Sequence, residues 1–226
     1  MKTKSAATKT SLKIMLTLSI AFTSIFNSCK KDTLIFVKPK LKESVDDTTK
    51  TTTPPTNQMG FTHFIGERFG GGIVYHLWKD SSAAEHGLIV TILDQSNSQF
   101  WSNVDLNGIG WAAQYTGDGL SNSNAIISQN GHTNSAAKMC LDLVLEGQSD
   151  WYLPSYDEFD LLGQNRLNVN KKLESINGAN VLLNETLYWT STERDYKKAW
   201  SYSFGNNFNG DTFKSDYQYV RAIRSF

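Results

Sequence analysis

Gly87-Leu88-Ile89-Val90-Thr91-Ile92-Leu93 is apolar at nearly every position and rich in β-branched side chains. A surface helix needs a polar stripe and a half-covered strand alternates, so a short unbroken run opened by glycine reads as a strand buried on both faces. It belongs in the middle of a sheet. Upstream, Gly71-Gly72-Ile73-Val74-Tyr75-His76-Leu77-Trp78 reads as another strand, launched by glycines. Far downstream come Leu187 to Thr192, Ala199 to Phe204, Gly210 to Lys214 and Tyr219 to Phe226, short strands separated by polar turns. Within the second of these, Trp200, Tyr202 and Phe204 share one face and Ala199, Ser201 and Ser203 the other, the period-two pattern of a half-covered sheet. The Ile73–Trp78 strand is expected to pair antiparallel with Tyr219–Ser225 and close the domain ends together.

Between these strands the pattern turns helical. Ala136, Cys140, Leu143 and Val144 recur at helical spacing, which makes Cys140 a buried structural thiol, and this helix is expected to stop at Gly147. In Ser155-Tyr156-Asp157-Glu158-Phe159-Asp160, Ser155 and Glu158 have capping-box spacing and start a second helix. Asp157, Glu158 and Asp160 then sit where the helix dipole favours anions, as helix-start chemistry rather than a general acid/base pair. A third, short helix is expected over about Asn170 to Ile176, ending at Asn177-Gly178. The region from Asp94 to Asn134 is rich in Asn, Gly, Ser and Gln around Trp101 and Trp111. It reads as a long ordered loop, unusual unless it carries function. Strands, then helices, then strands predict an α+β domain with antiparallel sheets, two to three helices and long irregular loops.

The rest of the chain divides around that domain. Lys2, Lys4, Lys9 and Lys13 precede an apolar run from Ile14 to Phe26, too short to span a membrane comfortably, which marks residues 1–28 as an export signal. Residues 29–59 are rich in Lys, Thr and Pro, with too few apolar side chains to fold alone, and form a tether. The domain covers 60–226. The chain has 226 residues with 22 basic and 22 acidic side chains, but ten of the lysines lie in residues 1–50 against four acids. Residues 51–226 keep twelve basic against eighteen acidic side chains, a net of six negative charges that offers no footprint for nucleic acid.

Phe26-Asn27-Ser28-Cys29 resembles the lipobox of bacterial lipoproteins, although Phe26 stands where Leu is commoner. That resemblance implies lipidation of Cys29, cleavage before it, and a membrane contact made only through the anchor. With Cys29 acylated, Cys140 stands alone. The blocks Gly-Gly-Ile-Val-Tyr (71–75), His-Gly-Leu-Ile-Val (86–90), Ala-Ala-Lys-Met-Cys (136–140), Asp-Trp-Tyr-Leu-Pro-Ser-Tyr-Asp-Glu (150–158), Tyr-Trp-Thr-Ser-Thr-Glu (188–193), Ala-Trp (199–200) and Tyr-Val-Arg-Ala-Ile-Arg-Ser-Phe (219–226) resemble, in order, the family named for the C-terminal domain of Lcl, a bacterial collagen-like adhesin. The resemblance runs from about Phe61 to Phe226. It implies a relative of the C-type-lectin fold, in which terminal strands pair and a long irregular region supplies ligand contacts; with the lipobox resemblance, the expectation is an outer-membrane lipoprotein at the cell surface. The adhesin is associated with sulfated glycans and host surfaces. Two features depart from it: no Gly-x-y collagen repeat precedes the domain, and the acidic body disfavours a polyanion unless Arg and Lys cluster locally. Arg221 and Arg224 are expected to pair with acids such as Glu193 or Asp195. The Glu-Pro-Asn motif of calcium-dependent lectins is absent, so calcium is not implied.

Nothing in the sequence spells an enzyme. His63, His76, His86 and His132 lack His-Glu-x-x-His spacing, and no Gly-x-Ser-x-Gly elbow or Gly-x-x-x-x-Gly-Lys loop occurs. His76 is expected on a polar strand face and His86 in a turn. Trp151-Tyr152-Leu153-Pro154-Ser155 is similar to the formylglycine-generating enzymes, whose chemistry needs a cysteine pair that the body lacks. No catalytic residue, cofactor or metal is expected. The leading reading is a surface protein that binds a glycan or protein partner; the alternatives are a structural envelope component and, more remotely, an enzyme. Candidate ligand residues are Trp101, Trp111, Glu193, Asn206, Asn207, Phe208, Asn209 and Asp211, since amides and carboxylates read sugar hydroxyls and aromatic rings stack on sugar rings. The same Asn/Gly run between the Trp200 and Phe213 strands equally suits a hairpin turn with left-handed backbone angles.

Overall fold

A computed structural model describes residues 60–205 and 209–226, with the side chain of Asn209 left out. The expected signal peptide and tether, Cys29, and the candidates Asn206, Asn207 and Phe208 lie outside the described residues. The elements are β1 (Arg68–Phe69), β2 (Gly72–Lys79), β3 (Glu85–Thr91), β4 (Ser96–Phe100), α1 (Gly119–Ile127), α2 (Ala136–Leu141), α3 (Tyr156–Glu174), β5 (Leu187–Glu193), β6 (Lys198–Ser203), β7 (Asn209–Phe213), β8 (Tyr217–Val220) and β9 (Ile223–Ser225). They form an α+β domain with two sheets, ordered β1-β2-β3-β9 and β4-β8-β5-β6-β7.

The apolar run of β3 does lie inside its sheet, between β2 and β9. Its alternate residues enter two cores: Leu88 and Val90 pack with Phe159, Leu162 and Leu173 of α3, whereas Ile89 packs with Ile126 of α1 and with Ala137 and Cys140 of α2. Ile73 and Tyr75 of β2 likewise face the first core and Val74 the second. Period-two geometry with cover on both faces explains why the run has no polar side.

The expected pairing of β2 with the C-terminal strand is wrong. β9 pairs with β3, in the register Leu88↔Ser225, Ile89↔Arg224 and Val90↔Ile223. Both edges of β2 are already filled by local hairpins. Asp80 Oδ1 accepts from the Ser82 and Ala84 amides at 2.9 and 3.0 Å and closes the β2–β3 turn, while Gly70 and Gly71, at φ 53° and 89°, fold β1 back onto the other edge. Short loops close at small entropic cost, so the local partners win. The C-terminal run is also two strands: β8 ends at Val220 in one sheet and β9 begins at Ile223 in the other. The expectation of purely antiparallel sheets fails at one place, since β5 and β8 run parallel through Tyr188↔Tyr219. His86 is a β3 residue rather than a turn residue, and its ring stacks on Trp78 at 5.5 Å.

The helices differ from expectation in three ways. Inside the supposed loop, α1 buries Gly119, Asn122, Ser123 and Ile126, a face made largely of small polar residues that leaves no apolar period to read. Asn122 Nδ2 donates to the Tyr115 carbonyl at 2.6 Å, and Ser123 Oγ accepts from the Leu153 amide at 3.1 Å. α2 stops at Leu141, well before Gly147, which instead occupies a tight turn between Leu145 and Gln148 at φ 80°. The second and third expected helices are one, because Phe159, Leu162, Val169 and Leu173 keep a single buried stripe across the Asn-rich middle of α3. Asn170 leaves the helix surface to clamp both the amide and the carbonyl of Leu182, at 2.8 and 3.0 Å. The capping box is present as expected. Glu158 Oε2 accepts from the Ser155 amide at 2.7 Å and from the Gly119 amide at 3.1 Å, so one carboxylate ties the starts of α3 and α1 together.

Candidate functional site

The sequence candidates separate into core and surface. Trp101 is fully buried, its indole N–H donates to the Thr190 carbonyl at 2.8 Å, and the Lys214 ammonium lies 4.8 Å from its ring centroid. Trp101 is therefore a core residue and offers no face to a ligand. Glu193 is also inside: its carboxylate meets Lys214 Nζ at 2.6 Å and accepts from the amides of Ile109, at 2.8 Å, and Gly110, at 2.7 Å. Lys214 Nζ also donates to the Asn107 carbonyl at 3.1 Å. The side chains of both members of this ion pair are wholly buried. It is saturated by backbone, so it pins the 107–110 loop rather than contacting a partner. Beside that loop Trp111 stands 91% exposed.

Asp211 is exposed, on a sheet face shared with charged and aromatic side chains. The β6–β7 register places Trp200 opposite Asp211, which puts both on one sheet face. Asp211 Oδ1 accepts from Lys198 Nζ at 2.8 Å, and Oδ2 lies 3.7 Å from Arg194 Nε. The Arg194 guanidinium in turn lies 5.6 Å from the Trp200 ring centroid, within cation–π range. On the other side of Trp200, Tyr156 at the start of α3 stands edge-on at 6.1 Å. These two rings, with Thr116 and Asp157, line a cleft of about 480 Å³. Thr116 Oγ1 donates to Asp157 Oδ2 at 2.7 Å, which orients both groups at the rim. Burial, aided by the carboxylates of Asp160 and Asp157, raises the Tyr156 pKa, so its hydroxyl stays a donor at neutral pH.

The cleft thus joins half-buried aromatic rings to a hydroxyl and a carboxylate, with the Arg194 guanidinium against the Trp200 ring. Trp200, Tyr156 and Arg194 were not among the residues that the sequence singled out as ligand candidates. In the Trp200, Tyr202, Phe204 alternation, Tyr202 and Phe204 enter the first core, while Trp200 remains only half-buried. The expected partners of Arg221 and Arg224 are also wrong: Arg221 pairs with Asp94 at 2.8 Å and Arg224 with Asp150 at 2.6 Å. Among the described residues, no group of three or more His, Cys, Asp or Glu side chains could hold a metal ion.

A model of the Lcl C-terminal domain family matches residues 90–224. The match begins within β3, so β1 and β2 lie outside it, although the resemblance was expected from Phe61 onward. No curated protein matches the chain. A fimbrial protein from Bacteroides ovatus ATCC 8483 has a similar fold, with a TM-score of 0.54 and 16% identity over 69% of this chain and 44% of that one. The chain therefore spans less than half the length of that structural relative.

Proposed function

We propose, from the premise that this chain belongs to the Lcl C-terminal domain family, that it is a surface-exposed bacterial lipoprotein whose domain binds a glycan in the Trp200–Tyr156 cleft. The observation that carries this reading is the cleft itself, two aromatic rings beside a Thr–Asp pair, with the Asp211 ion pairs next to Trp200 on the same sheet face. Ring faces cover the apolar side of a pyranose, and fixed donors and acceptors read its hydroxyls. The acidic body and the internal pairing of Arg194 and Lys198 with Asp211 favour a neutral or weakly charged glycan over a polyanion. A fimbrial protein sharing the fold is compatible with a place at the surface.

The test is a glycan array on the full-length protein, repeated with Trp200→Ala and Asp157→Ala. Discrete sugar hits should weaken about tenfold or more in the Trp200 variant, equivalent to about 1.4 kcal/mol, while the melting temperature stays within a few degrees. An array without discrete hits, or hits indifferent to both substitutions, would sink the glycan reading. The anchor is tested separately. Cys29→Ala should move the protein from the membrane to a soluble fraction and abolish uptake of labelled fatty acid; a variant that stays membrane-bound, beside a wild type that takes up no label, removes the lipoprotein reading.

A further inference from the structure

A second pocket, of about 420 Å³, opens where the β3–β4 connection meets the segment following α3, and Asp94, Asn97, Asn180, Leu183 and Tyr219 are among its lining residues. It shares no lining residue with the Trp200 cleft. Behind it lies Arg221, whose side chain is wholly buried. Burying a guanidinium is costly unless its charge is paired and its N–H groups are hydrogen-bonded. Both of its hydrogen bonds go to residues that line the pocket: Nη1 donates to Asp94 Oδ1 at 2.8 Å and Nη2 to the Asn180 carbonyl at 2.9 Å. Asp94 and Asn180 are also locked to each other, since the Asp94 amide donates to Asn180 Oδ1 at 3.0 Å. A buried cation thereby holds the Asp94 carboxylate and the Asn180 backbone at the wall of the pocket, and the Asp94 amide holds the Asn180 side chain.

What those side chains retain defines the ligand. Asp94 keeps acceptor capacity, because a carboxylate has about four lone-pair sites, more than the Arg221 guanidinium and the Tyr188 hydroxyl occupy. With its Oδ1 held by the Asp94 amide, Asn180 has its amide donors left to offer, and Asn97 carries a second exposed amide. The charge of Asp94 is balanced by Arg221, so the pocket favours an uncharged guest. Tyr219, half-buried against Tyr188 with ring centroids 5.6 Å apart, supplies an aromatic wall. The volume lies within the roughly 300–1,000 Å³ usual for small-molecule sites. We infer that this pocket is a second binding site, distinct from the proposed cleft, that takes an uncharged polyhydroxylated ring such as a single terminal pyranose.

Saturation-transfer NMR on the full-length protein tests this with methyl glucopyranoside, methyl galactopyranoside and methyl mannopyranoside, with glucosamine and glucuronate as charged comparators. At least one neutral glycoside should receive saturation, and binding should weaken tenfold or more in Asn97→Trp and in Leu183→Trp. Both positions are exposed, so an indole there fills the mouth without entering the core. All spectra are recorded in the Trp200→Ala background, which removes the cleft's own contribution and keeps failure of the pocket distinguishable from failure of the cleft. The inference is overturned if, in that background, no neutral glycoside receives saturation, if only the charged sugars do, or if the signal survives both blocking variants.

Discussion

Lys214 and Glu193 show how far a residue's role can lie from its appearance in the sequence. Each is a charged side chain near a strand end, and Glu193 reads there as a surface group free to contact a ligand. Its partner is 21 positions away, and only the folded sheet brings the two together at 2.6 Å with no exposed area. Pairwise burial of this kind leaves no local trace in hydrophobic pattern. Trp101 is hidden for the same reason, since an indole amid Asn and Ser looks solvent-facing until Thr190, 89 positions on, accepts its N–H. Breaking a buried ion pair strands the remaining charge, at a typical cost of about 3–5 kcal/mol. Lys214→Met should therefore destabilise the domain by about that amount, whereas Lys214→Met combined with Glu193→Gln should recover part of the loss, because a neutral amide can still meet the 107–110 backbone. Chemical denaturation of the two variants checks this. Equal losses in both would show that the charge pairing is not what matters.

At the scale of elements, α3 illustrates what periodicity reads well and where it stops. Its capping box and its buried stripe from Phe159 to Leu173 are legible because both recur at helical spacing. Its continuity is not, because the Asn-rich middle argues for a break that packing overrides. Gly163 is the sharpest case. In an exposed helix interior, Gly to Ala stabilises by about 1 kcal/mol. Here a Cβ would collide with the hydroxyl of Tyr202, a buried ring stacked on Phe159 at 5.7 Å. The glycine lets β6 approach the helix. Gly163→Ala should thus destabilise by about 1–3 kcal/mol, the usual range for overpacking. Adding Tyr202→Phe removes the oxygen that clashes and should restore most of the stability, since the hydroxyl has only a long 3.4 Å contact to Asp160 to lose. A higher melting temperature in the single variant would refute the close approach.

For the whole molecule, the order and type of most strands follow from the sequence, whereas their partners do not. Strand identity is local, but pairing is decided by which edges remain open after the short hairpins have closed. That competition gives β9 to β3 and leaves β8 in the other sheet. The consequence is that the last residues join three parts of the fold at once. The Tyr152 and Ile223 backbones exchange hydrogen bonds at 2.9 and 3.0 Å, Gly87 and Phe226 do the same at 3.1 and 3.0 Å, and Arg224 holds Asp150 through two bonds of 2.6 and 2.8 Å. Phe226 also packs so close to Gly87 that no side chain could stand at that position. Deleting Ile223 to Phe226 exposes the edge of β3 and strips cover from both cores, to which Ile223 and Phe226 contribute separately. The combined loss approaches the roughly 5–15 kcal/mol that holds a domain together. The truncated chain should show no cooperative melt, and the freed β3 edge should promote aggregation. Arg224→Gln tests the same joint more gently: it keeps the ladder and removes the Asp150 pair and the guanidinium over the Trp151 ring, so it should lower the melting temperature while preserving a single transition. If the truncated protein melts cooperatively near the wild-type temperature, the β3–β9 pairing cannot be what closes the fold.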